Sequence, residues 1–116
     1  TVRPGQDAAF ISVLKAYAAA YAAAGDPTPW VTYQAMAGGT GSSYSLFVPM
    51  ESYGLLDREL AASAAVGGKL ASPAEVAAMF TASTERVDTQ VLTISPDISY
   101  VPEEFANQDK AFWKAK

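Results

Sequence analysis

The chain has 116 residues, 50% of them apolar, a net charge of −4, and neither cysteine nor histidine. That length fits one domain able to bury a core without disulfides or metals. The missing residue types exclude disulfide frameworks, thiolate catalysis, histidine or cysteine metal ligation and every Ser-His or Cys-His catalytic pair, while the acidic balance and the lack of a basic run argue against nucleic acid and anionic membrane surfaces as partners.

Thr1-Val2-Arg3 reads as the end of a strand, and Pro4-Gly5 as the turn after it. Gln6 to Ala24 is predicted to be a helix. Phe10, Val13, Leu14, Tyr17 and Tyr21 recur at three- and four-residue spacing and share one stripe. Alanine fills the rest, and it is the best helix former. Gly25 is a natural stop, and Pro27 and Pro29 forbid continuation.

The central stretch runs from Trp30 to Met50. Two β-rich runs, 30–37 and 44–49, flank the turn formers Gly38-Gly39-Thr40-Gly41, which predicts an antiparallel hairpin. Side chains alternate along a strand, so Trp30, Thr32, Gln34 and Met36 share one face and Val31 and Tyr33 the other. On the return strand Tyr44, Leu46 and Val48 oppose Ser45 and Phe47. Large apolar groups on both faces predict a sheet covered on both sides, one by the chain's own helices and the other by a partner.

Leu55 to Ala65 is predicted to be a helix broken by Gly67-Gly68. Ser72-Pro73-Ala74-Glu75 reads as a capping box opening a helix to about Val87, with Val76, Met79, Phe80 and Ser83 inward. Thr89 to Ser95 reads as a further strand ended by Pro96-Asp97. The tail after it is irregular, with Phe105, Phe112 and Trp113 as apolar anchors. The expected organisation is an α+β domain over 1–95 and a C-terminal extension over 96–116. With a strand before the first helix, the order becomes βαββαβ, the ferredoxin-like split unit with an antiparallel sheet and a truncated first strand.

Val2-Arg3-Pro4-Gly5 with its following helix, and Trp30-Val31-Thr32-Tyr33-Gln34 with its glycine turn, resemble the dimeric α/β-barrel superfamily, which includes antibiotic-biosynthesis-monooxygenase-like domains. The resemblance covers roughly residues 1 to 95 and describes a fold more than an active site. Tyr100 to Phe105 and Phe112-Trp113 resemble the tail of an uncharacterised, apparently exported bacterial subgroup. The resemblance implies two ferredoxin-like subunits packed sheet against sheet, with small ligands held between sheet and helices. It implies a homodimer, and a periplasmic or secreted location fits an upstream piece removed before Thr1. Cofactor-free monooxygenases of this fold use asparagine, tryptophan and histidine. Here Trp30 supplies at most the tryptophan, and Asn107 is the only asparagine. No cofactor or metal is expected.

Tyr17, Tyr21, Trp30, Tyr33 and Tyr44 are candidates to line an aromatic pocket, since tyrosine and tryptophan join apolar area to a polar handle. Ordinary core and interface packing accounts for the same residues. Gln34, mid-strand on the Trp30 face, needs a hydrogen-bond partner if covered. The glycines 38–41 join two strands and precede no lysine, so they form a hairpin turn rather than a phosphate loop. Three functions remain open: a ligand-binding or assembly module; a cofactor-independent oxygenase or isomerase acting on an aromatic or quinone-like small molecule; and a structural domain docking on another protein.

Overall fold

The computed structural model describes residues 1–114. In chain order it contains α1 (Asp7–Ala24), β1 (Val31–Gln34), β2 (Tyr44–Phe47), α2 (Tyr53–Gly67), α3 (Pro73–Ser83), a 3-10 turn at Pro96–Ile98, α4 (Glu103–Ala106), a 3-10 turn at Asn107–Asp109 and α5 (Lys110–Trp113). The class is α+β, with one two-stranded antiparallel sheet among the described residues.

α1 matches its sequence pattern. Phe10, Val13 and Ala20 are buried along one stripe. Gly25 ends the helix at φ 67°, a left-handed conformation that glycine adopts without penalty. α1 packs against both α2 and α3. The buried apolar set is small: Val2, Phe10, Val13, Ala20, Val66 and Ala106.

β1 and β2 pair as Val31↔Phe47, Thr32↔Leu46, Tyr33↔Ser45 and Gln34↔Tyr44. Beyond β2, the Val2 amide donates to the Ser42 carbonyl at 2.9 Å. On its other side Val2 bridges Thr84 in antiparallel sense. Arg3 donates to the Ser83 carbonyl at 2.8 Å, and Glu85 to the Thr1 carbonyl at 2.9 Å. The lateral order is therefore β1, β2, Val2, Thr84.

Several expectations are corrected. Residues 89–95 form no strand. The Val2↔Thr84 register runs antiparallel, so residues after Arg86 pass beyond Thr1 and meet no strand among the described residues. β-type composition needs a neighbouring edge before it becomes a ladder. A full ferredoxin-like sheet is accordingly not formed, and the first strand is reduced to a bridge, because Pro4 offers no amide and Gly5 turns the chain at φ 76°. α3 stops at Ser83 rather than near Val87, since Thr84 turns extended to meet Val2. Ser72 stands at the N-cap, but its side chain makes no cap bond; only its carbonyl acts, accepting from Val76 at 2.9 Å. α2 starts two residues before the expected Leu55, because Ser52 caps it by accepting from the Leu55 amide.

The tail packs on itself. Phe105 and Phe112 both meet Trp113 edge-on, with ring centres 5.7 and 5.0 Å away. Lys114 Nζ lies 3.5 Å from Glu103 Oε1. The last two residues of the expected 96–116 extension lie outside the described residues.

Candidate functional site: a hairpin tied to α1 through Tyr44

The end of α1 sets where the hairpin starts. After Gly25, the Asp26 carboxylate accepts the Thr28 amide at 2.8 Å, a local turn that aspartate favours. The Thr28 hydroxyl donates to Glu59 Oε1 on α2 at 2.6 Å. The chain then reverses, and Trp30 meets Tyr21 of α1 at 5.9 Å between ring centres, edge to face. β1 follows. Its loop to β2 holds Gly38, Gly39 and Gly41 at φ between 81° and 91°, a conformation closed to most other residues.

Paired residues of an antiparallel ladder project to the same side. Thr32, Gln34, Tyr44 and Leu46 therefore share one face, and Val31, Tyr33, Ser45 and Phe47 the other. On the first face Tyr44 meets α1: its ring packs on Phe10 at 4.9 Å and its hydroxyl donates to Asp7 Oδ1 at 2.8 Å, while Leu46 on the same face stays 46% exposed. That bond, with the Ser42 side chain nearby adding to it, holds the Asp7 carboxyl below its ordinary range. Bonding to the carboxylate pushes the Tyr44 phenol up, with burial a smaller cause. Burial also pushes up Tyr21, with Glu59 and Asp26 nearby adding to it.

The second face has no cover from α1. Tyr33 and Phe47 touch only edge to face, 5.4 Å apart, and Tyr33 remains 61% exposed. Val31 and Phe47 are about half exposed.

The six pocket candidates thus separate. Tyr21 and Trp30 come together, and Tyr44 joins Phe10. Tyr17 is half-buried on α1. Tyr33 lies on the opposite face. Gln34 is exposed. None of the six lines either of two open hollows, of 340 Å³ between α1 and α2 and 480 Å³ between α1 and α3. The Thr28–Glu59 bond joins residues far apart in sequence, and no local pattern marks it. Among the described residues there is no group of three or more acidic side chains placed to hold a metal. No described helix is long and apolar enough to cross a membrane.

Compared with known proteins, the chain matches no family model, no curated protein and no solved structure.

Proposed function

We propose that this chain is an assembly module, a small α+β domain whose open sheet face is closed by a second copy of itself. The observation that carries this is the exposed apolar face of Val31, Tyr33 and Phe47, on a hairpin that meets α1 only through Tyr44 on its other face. A sheet with one solvated face should carry polar residues there. Here no charged side chain lies between Asp26 and Glu51.

The surface area argues for the same reading. The chain exposes 8701 Å² at 12.2 kDa, whereas a compact monomer of that mass exposes about 6,100 Å². Its radius of gyration is 17.4 Å, against about 13 Å for a compact chain of this length. If each copy hid half of the excess, two would bury about 2,600 Å² together, well within the range of obligate dimers. A self-complementary apolar face favours two-fold symmetry.

The ferredoxin-like organisation and its dimeric α/β barrel belong to this proposal. Their support is the lateral order β1, β2, Val2, Thr84 with α1 and α3 packed together. A ligand role for Tyr21 and Trp30 is compatible with the same assembly.

The test pairs light scattering with Phe47→Asp. The proposal expects a dimer for the parent and a folded monomer for Phe47→Asp. A parent that stays monomeric at micromolar concentration overturns it.

A further inference from the structure

We infer that the segment from Thr89 to Ser95 is an exchange arm that pairs, as a strand, with the outer edge of β1 in a second copy. The inference rests on the assembly reading above, and goes beyond it by naming a second, backbone-mediated contact.

Two unpaired backbone edges carry it. The Ala35 amide donates to the Ser43 carbonyl at 3.0 Å, which fixes the alternation along β1. Residues 31, 33 and 35 face β2, so the N–H and C=O groups of Thr32 and Gln34 point outward. Those groups have no backbone partner among the described residues. The amides of residues 87–95 have none either. The arm is rich in residues that favour strands, and Leu92 is 70% exposed.

Exposed edges are normally blunted by charge or proline. Neither edge is blunted here. β1 holds no charge or proline, and no charge lies between Asp88 and Asp97. An uncharged arm meeting an uncharged edge encounters no like-charge repulsion, although each chain is acidic. The arm's exposed Val91, Leu92 and Ile94 form part of the surface that a compact monomer would have hidden.

The lateral order selects a second copy over the chain's own β1. The arm leaves the sheet after Arg86, at the margin opposite β1. β2 and Val2 stand between, a separation of about 14 Å at strand spacing. Reaching its own β1 edge would carry the arm across the sheet. A neighbouring copy offers the same edge without that crossing.

Amide hydrogen exchange on the full chain tests this, with mass read in parallel by light scattering. The expected result is a dimer in which alternate amides within residues 89–95, together with Thr32 and Gln34, exchange at least tenfold more slowly than in unstructured chain, losing that protection on dilution to monomer. Successive amides point to opposite sides, so either Val91→Pro or Leu92→Pro should abolish the protection at Thr32 and Gln34. A dimer whose arm exchanges at the unstructured rate overturns the exchange arm and leaves the assembly reading standing. Arm protection that persists in a monomer overturns it in favour of pairing within one chain. A monomer without arm protection overturns both.

Discussion

The Tyr44 hydroxyl on β2 donates to Asp7 Oδ1 in the first turn of α1, at 2.8 Å. This one bond ties the hairpin to α1. It also places a carboxylate at a helix N-terminus, where the macrodipole favours negative charge.

Stability should therefore depend on pH through this pair. The Asp7 pKa is lowered from 3.8 in the folded chain. Its contribution is full above that ordinary value and is lost as pH falls through the depressed one. The Tyr44 pKa is raised from 10.0. Its contribution is full below that value and is lost as pH rises through the raised one. Urea midpoints measured across pH should show both limbs. Asp7→Asn should flatten the acid limb, and Tyr44→Phe should reduce both; an unchanged profile in either variant would show that the bond does not form.

The two helix caps make a paired prediction. Ser52→Ala should cost on the order of 0.5–1 kcal/mol, because its hydroxyl accepts the Leu55 amide at 3.4 Å. Ser72→Ala should change stability by less than about 0.5 kcal/mol, since it removes no cap bond. Denaturation midpoints decide, and the reverse order would contradict the structure.

The small core predicts unequal sensitivity to truncation. Val13 is 1% exposed, so Val13→Ala should cost about 2 kcal/mol through lost burial and a cavity. Tyr33→Ala should cost the isolated monomer little and weaken dimerisation instead. Unfolding curves taken at two protein concentrations separate these effects. Equal, concentration-independent losses would argue that Tyr33 belongs to the monomer's own core.

These contrasts mark what the sequence made legible. α1 could be read because Gly25, Pro27 and an apolar stripe all point to the same boundaries. The hairpin could be read because its turn glycines sit between two β-rich runs. Thr89–Ser95 misled, since β composition reports only half of a pair and no described edge lies opposite. Ser72 misled in a similar way. A capping motif records which atoms are available, whereas Ser72 at ψ 73° does not bring its hydroxyl to a cap bond. The alternation places Trp30 and Tyr33 on opposite faces, and in the structure Trp30 meets Tyr21 of α1 while Tyr33 is 61% exposed. Grouping them in one candidate pocket set that geometry aside. The Thr28–Glu59 bond joins residues with no local pattern between them, so nothing in the sequence marked it.

The central claim is that the Val31, Tyr33 and Phe47 face is completed by a second copy. Multi-angle light scattering of the full chain at micromolar concentration tests it most directly. The account predicts a mass near twice 12.2 kDa, falling to the single-chain value in a Phe47→Asp variant that keeps its helical circular dichroism. A parent mass of one chain, unchanged as concentration rises, would contradict it.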